Sequence, residues 1–259
     1  MKEYLKKKMK VIGIIPSRYA STRFPGKPLA IIKGKTMIRR VCEQAWKSKL
    51  DAVVVATDDI RIADEVMSFG GRCVLTDPNH RSGTDRCCEA LDLLETQYDA
   101  VVNIQGDEPF IDPKQIDLLV DLILREDTQL ASLAKRIVDA DELFSQNAVK
   151  VVMDNECKAL YFSRNPIPFM RNVDNVEWLK KGVFYQHIGI YAYKTEVLRR
   201  VARLQPSSLE IAESLEQLRW LENGLSIRMA VTESQNVSID TPYDLAKAEQ
   251  FAQNQTLIE

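Results

Sequence analysis

Arg18, Arg23 and Lys27 fall in one short loop, Ser17-Arg18-Tyr19-Ala20-Ser21-Thr22-Arg23-Phe24-Pro25-Gly26-Lys27-Pro28, directly behind the apolar run Val11–Pro16. A polyphosphate is well solvated in water, so a protein that binds one must replace that solvation with guanidinium, ammonium and backbone N–H groups. The three cations supply charge, Ser21 and Thr22 supply hydroxyls, and Gly26 lets the backbone come close. Paired Pro and Gly fix the shape of the loop. Its place after a buried strand favours anion binding over a merely solvated loop, because open α/β sheets bind ligands beyond the carboxyl ends of their strands. Gly34-Lys35-Thr36 imitates the end of a P-loop, but Leu29 stands where that motif needs its first glycine, and no strand immediately precedes it. It reads instead as a turn and helix start capped by Thr36. No G-x-G-x-x-G occurs, which disfavours a nicotinamide dinucleotide fold of the usual kind.

Two acids complement the cations. Asp107 follows the apolar run Ala100–Ile104 in the turn Gln105-Gly106-Asp107, and Asp240 ends what reads as the last strand, before Thr241-Pro242. Mg2+ takes hard oxygen ligands and keeps several waters, so one or two carboxylates plus phosphate oxygens suffice for a nucleotide-bound ion. Locally, Asp240 could equally be a helix N-cap and Asp107 an ordinary turn residue. Asp58 and Asp59 read as a helix cap pair rather than as ligands.

Positioning these side chains requires a frame of alternating strands and helices. Strands are expected at Val11–Pro16, at Ala52–Thr57 (AVVVAT), from Cys73 to Thr76 and at Ala100–Ile104, with amphipathic helices between them. A helix through Ile60 to Phe69 should stop at Gly70-Gly71, another should run from about Asp85 to Leu94, and Asp112-Pro113 should open the next. This is one half of a mostly parallel, doubly wound sheet. From about Leu130 several β-rich runs follow with few helices between them: Leu130 to Ile137, Val149 to Met153, Ala159 to Ser163 and His187 to Tyr193. An antiparallel extension is expected there, with a polar loop from Ile167 to Gly182. Helices return at Thr195 to Leu204 and at Leu209 to Leu221, then a strand at Ile227 to Thr232 and a closing helix. The whole reads as a single domain over 1–259, with a nucleotide-binding half at about 10–129, the β-rich extension at about 130–200 and a return to the core at about 201–259.

Bulk properties limit the function classes. A chain of 259 residues, 45% hydrophobic and 28% charged, can bury a sizeable core. A net charge of -2 gives no global attraction to nucleic acid, so none is expected as a partner. Five cysteines without C-x-x-C spacing suggest neither a disulfide framework nor a zinc site. The run behind the Lys-rich start is too short for a signal-peptide core or a membrane span, and a cytoplasmic protein that binds no membrane is expected.

Several strings together carry a resemblance: PSRYASTRFPGKPL from Pro16, RSGTDR at 81–86, VNIQGDEP at 102–109, NAVKVV at 147–152, ALYFSR at 159–164, HIGIYAY at 187–193, SLEQLR at 214–219 and IDTPYDL at 239–245. In this order, from about Val11 to Ala248, the chain resembles the 3-deoxy-manno-octulosonate (Kdo) cytidylyltransferases. The resemblance implies a Rossmann-like nucleotidyltransferase core with a smaller β-rich extension for acceptor binding and dimerisation. It further implies a homodimer that uses Mg2+ to transfer CMP from CTP to Kdo, giving CMP-Kdo and pyrophosphate for lipopolysaccharide synthesis. By similarity, Arg18 and Lys27 would hold the triphosphate, with Ser21 beside them. Ser82, Gly83, Arg86 and Gln105 would border the nucleotide, and Asp107 with Asp240 would bind the metal. Arg23, Gln105, Arg164, His187, Tyr191, Glu216 and Gln217 would line the acceptor pocket.

The residues themselves agree in kind. An eight-carbon sugar acid needs a cation for its carboxylate and several polar partners for its hydroxyls, and Arg164 and His187, each at an end of an apolar run, suit that need. Tyr191 alternates onto the same strand face as His187, as a pocket wall or as core. On spacing alone Glu216 and Gln217 would be a polar stripe of an amphipathic helix. Ile211-Ala212-Glu213 stands where the family carries a His next to Leu-Glu, and Tyr243 replaces an acidic residue.

Overall fold

Alternate residues of the first strand face opposite ways into two separate cores. Ile12 and Ile14 join one cluster, while Val11 and Ile15 join the other. A strand apolar on both faces must be covered on both, which is why the expected runs lacked a polar alternation. The computed structural model describes residues 8–20, 23–234 and 238–255. The predicted nucleotide contact Ser21 and its neighbour Thr22 lie outside them.

In chain order the elements begin with β1 (Val11–Ser17), a 3-10 turn (Lys27–Leu29), the small antiparallel pair β2 (Ile31–Ile32) and β3 (Lys35–Thr36), and α1 (Met37–Ala45). They continue with β4 (Ala52–Thr57), α2 (Ile60–Ser68), β5 (Cys73–Leu75), α3 (Gly83–Asp92), β6 (Ala100–Asn103) and α4 (Pro113–Ile123). The second half holds β7 (Leu130–Arg136), α5 (Ala140–Phe144), β8 (Lys150–Met153), β9 (Ala159–Ser163), α6 (Trp178–Lys181) and β10 (Tyr185–Lys194). The chain closes with α7 (Thr195–Val201), α8 (Ser208–Glu213), α9 (Glu216–Glu222), β11 (Arg228–Thr232) and α10 (Pro242–Gln255).

The main sheet has the order β11-β7-β10-β6-β1-β4-β5, and β8 with β9 extends it from β10. β1 pairs in parallel with both β4 and β6, and β4 with β5. β10 runs antiparallel to both β6 and β7, whereas β11 pairs in parallel with β7. The β-rich extension is thus antiparallel where the sequence predicts it, and its sheet is continuous with β1, β4, β5 and β6. Apolar stripes of α1, α2 and α4 cover one face, including Ile38, Val41, Ile62 and Leu119. Residues of α3, α7 and α9, among them Cys87, Leu198 and Trp220, cover the other. The result is a three-layer α/β domain, matching the predicted class.

Helix starts follow the predicted caps: the Thr36, Asp59 and Asp112 side chains each accept a backbone N–H at the head of α1, α2 and α4. Four expectations need correction. The helix expected over Leu209 to Leu221 is two helices, broken at Ser214, whose φ of 52° is left-handed. The segment Ile167 to Gly182 is not loop throughout. It holds a 3-10 turn and α6, because Trp178 buries its ring and stacks on Phe184 at 5.8 Å. Asp240 does not end a strand, since β11 closes at Thr232. Asp58 is no part of a cap pair: Asp59 caps alone, and Asp58 is the counter-ion of Arg86 at 3.1 Å.

Candidate active site

β1 delivers the cationic loop at its carboxyl end, and the loop folds back on itself at Gly26. The Gly26 N–H donates to Tyr19 O at 2.9 Å, and its φ of 70° is left-handed, which glycine adopts without cost. The Tyr19 ring closes against Gly26, where a Cβ would stand 3.1 Å away, while the Arg61 guanidinium lies 3.4 Å from the ring's centre on a bidentate hold from Asp59. With its shape set from outside, the loop turns Lys27 inward, and the ammonium becomes largely buried.

Lys27 Nζ meets both predicted acids, Asp107 Oδ2 at 2.7 Å and Asp240 Oδ1 at 3.3 Å. Arg23 adds a second cation, 3.1 Å from Asp240. Asp107 sits in the turn after β6, and its carbonyl accepts the Ile239 N–H at 3.0 Å, which carries Asp240 to its place. The cap role that sequence allowed for Asp240 belongs to Thr241: its Oγ1 accepts the Asp244 N–H at 3.3 Å while Asp244 Oδ2 accepts the Thr241 N–H at 2.9 Å. The Asp240 carboxylate is therefore left for the cleft. Gly106 permits this closeness, because a Cβ there would stand 2.8 Å from Ser17 Oγ and 3.0 Å from Pro16 O.

Across a cleft of about 260 Å³ stands the start of α3. Ser82 caps that helix by accepting the Asp85 N–H at 3.1 Å, and Gly83 lies close against Pro16. The first turn of a helix offers unpaired N–H groups and the positive end of its dipole, a natural seat for an anion. Arg18, Gln105 and Arg86 complete the wall. Arg86 differs from a free anion ligand, since its buried guanidinium is held by Thr76 Oγ1 at 2.6 Å and by Asp58. Of the predicted residues, the structure gathers Arg18, Arg23, Lys27, Ser82, Gly83, Arg86, Gln105, Asp107 and Asp240 around this one cleft.

Arg164, His187, Tyr191, Glu216 and Gln217 do not line it. Arg164 directly follows β9 and spends its guanidinium on the carbonyls of Glu213, Gln146 and Ser214, while its backbone N–H donates to the Glu213 carboxylate at 2.9 Å. Beneath it the Lys150 ammonium, on a fully buried side chain, donates to Ser145 O, Ala148 O and Arg164 O. His187 is buried edge-on to Phe162, with Nε2 2.9 Å from Ser132 Oγ. Burial pushes its pKa down to about 3, so at neutral pH it is no cation for a sugar carboxylate and offers only hydrogen bonding. Tyr191 is core wall, packed edge-on to Trp220 at 4.9 Å, and Gln217 is buried on α9.

Glu216 comes nearest to the cleft. Its Oε2 accepts from Thr84 Oγ1 at 2.9 Å, one residue beyond Gly83, and its Oε1 accepts from Arg219 at 2.8 Å. Burial raises its pKa, while the Thr84 hydrogen bond and the Arg219 charge pull it back. Glu216 also borders a second cavity of about 800 Å³, which shares His80, Arg81 and Ser82 with the first. Sequence reasoning assigned His80 and Arg81 no role. Their position immediately before Ser82, at the head of α3, was the available signal.

A mixed sheet with a cationic loop, a helix head and two carboxylates gathered beyond the carboxyl ends of its parallel strands β1 and β6 defines a nucleotide-processing α/β enzyme. The cytidylyltransferase family model matches residues 12–227. The 3-deoxy-manno-octulosonate cytidylyltransferase of Parabacteroides distasonis is 53% identical over 95% of this chain and 99% of its own. That of Thermodesulfovibrio yellowstonii is 50% identical over 93% of this chain and 97% of its own. A solved CMP:2-keto-3-deoxy-manno-octonic acid synthetase complexed with CTP superimposes with a TM-score of 0.88 at 39% identity, covering 95% of this chain and 99% of that one. A 4-diphosphocytidyl-2C-methyl-D-erythritol synthase from Anaerococcus prevotii shares the fold at a TM-score of 0.60. The chain belongs to the cytidylyltransferase family, as one of its 3-deoxy-manno-octulosonate cytidylyltransferases.

Proposed function

We propose that this enzyme transfers CMP from CTP to Kdo, releasing pyrophosphate, and that the transfer serves lipopolysaccharide synthesis. The observation that carries the site is the convergence of Asp107, Asp240 and Lys27 opposite the head of α3. The anomeric 2-hydroxyl of Kdo attacks the α-phosphorus in line, and pyrophosphate leaves on the opposite side. Arg18, Lys27 and the α3 N–H groups neutralise the triphosphate and hold it for that approach. Ser82, Gly83 and Gln105 border the nucleotide. The cleft-lining Arg23, the half-buried Glu216 and the buried Gln217, Arg164 just after β9, and the strand residues His187 and Tyr191 belong to the acceptor side.

Mg2+ fits the two acids. Their facing oxygens already lie within 3.3 Å of one shared cationic atom, both are hard donors, and both open on the cleft. Among the described residues no group of three or more His, Cys, Asp or Glu is arranged to hold a metal, so the remaining ligands would be phosphate oxygens and water. A bound ion would supply charge neutralisation of the reacting phosphoryl group.

The continuous sheet supports a single domain with a β-rich extension. On that extension Val138, Phe169 and Val176 expose apolar side chains, which supports a homodimer there. Five free cysteines suit the reducing cytoplasm, and no helix among the described residues is long and apolar enough to cross a membrane. The test is turnover: purified protein with Kdo and each common nucleoside triphosphate, following pyrophosphate. CTP alone should support release, and Asp107→Asn should abolish it while CTP binding partly persists. Release with a different triphosphate, or with a sialic acid in place of Kdo, would contradict the proposal.

A further inference from the structure

Lys27 faces carboxylates and not only the open cleft. Its ammonium spans Asp107 and Asp240, and Arg23 adds a second positive charge on Asp240. Two negative charges are thus already balanced by two positive ones from the chain. Lys27 is the more deeply placed cation, its side chain 15% exposed against 67% for Arg23, so its contacts are the less screened by water.

A divalent ion arriving alone must strip the ammonium from both oxygens and shed part of its own water. The displaced ammonium then gains no new partner, and it stays close to an added double charge. A divalent ion arriving with a triphosphate brings anionic oxygens to which the ammonium can transfer. We infer that Lys27 is an exchangeable counter-ion: it occupies the carboxylate pair in the free enzyme, and yields it to a divalent cation only when a triphosphate is there to receive the ammonium. The inference rests on the metal site proposed above. Metal and nucleotide binding are then positively coupled, and by thermodynamic linkage each strengthens the other by the same factor. The free enzyme is also shielded from idle occupation by stray divalent ions.

Mn2+ binding, read from the paramagnetic resonance of free Mn2+, tests the exchange without turnover. Lys27→Met and Lys27→Gln remove the ammonium while keeping an unbranched side chain, and circular dichroism confirms which variants fold. Without nucleotide, either folded variant should bind Mn2+ at least about tenfold tighter than the wild type, about 1.4 kcal/mol, while binding CTP more weakly. Unchanged or weaker Mn2+ affinity overturns the exchange. A separate arm probes the underlying site: with CTP but no acceptor, Asp107→Asn should lose the Mn2+ that the wild type holds. Retention there would show that the metal sits elsewhere, and the exchange would fall with the site, whatever the lysine variants do.

Discussion

Adding one methyl group at Gly106 should slow the enzyme about tenfold through Asp107. A Cβ at 106 would lie 2.8 Å from Ser17 Oγ and 3.0 Å from Pro16 O, about half an ångström inside ordinary contact. The Ser17 hydroxyl can rotate away. Pro16 cannot, because it lies within β1 and is paired to β4, so the turn carrying Asp107 must move outward instead. Overpacking of this kind costs about 1–3 kcal/mol of stability. A carboxylate that must serve a metal tolerates only about 0.2 Å, and a displacement of about 1 Å at a reacting centre can cost roughly 100-fold in rate. Half that displacement corresponds to about a tenfold fall in kcat, near 1.4 kcal/mol of barrier. Pyrophosphate release at saturating CTP and Kdo, together with urea unfolding, measures both effects on Gly106→Ala. A kcat within twofold of wild type with unchanged stability would refute the reasoning.

Two further outcomes follow from buried groups away from the cleft. His187 has a native pKa of about 3 against an ordinary 6.5, so its stabilising effect is complete above about pH 6.5 and is lost as pH falls from there toward 3. Between pH 7 and 5 the wild type should lose about 2 kcal/mol more than His187→Gln, measured by urea unfolding at both pH values. Lys150→Met deprives the carbonyls of Ser145, Ala148 and Arg164 of their shared donor. Stability should fall by about 3 kcal/mol, and the KM for Kdo should rise more than that for CTP, because Arg164 loses its anchor.

What sequence could show follows from how locally each feature is determined. β1, β4 and β6 were legible because a strand covered on both faces is apolar throughout. The starts of α1, α2 and α4 were legible because Thr36, Asp59 and Asp112 cap within their own turn. Features set by distant contacts were not. The break at Ser214 has no glycine or proline to announce it, and beside it Glu213 is drawn away by Ser163 and Arg164. Asp240 and Asp107 meet at Lys27, but what brings Asp240 there is a backbone hydrogen bond from Ile239, and backbone groups leave no signature in side-chain spacing. Asp58 looked like a cap from its neighbours, and only the fold shows that Arg86 claims it. The cluster of cations behind β1 was legible from the loop itself, whereas the bond from Lys27 to the two acids depends on three segments meeting.

The central claim is that Asp107 and Asp240 together hold the metal of a bound nucleotide triphosphate. Crystals grown with CTP and Mn2+, measured at a wavelength where manganese scatters anomalously, address it most directly. The expected result is a peak bonded to a carboxylate oxygen of each residue and to phosphate oxygen, with Lys27 Nζ moved from the acids to the triphosphate. A peak that touches neither carboxylate, or Lys27 still bridging both acids beside bound CTP and metal, would contradict the account.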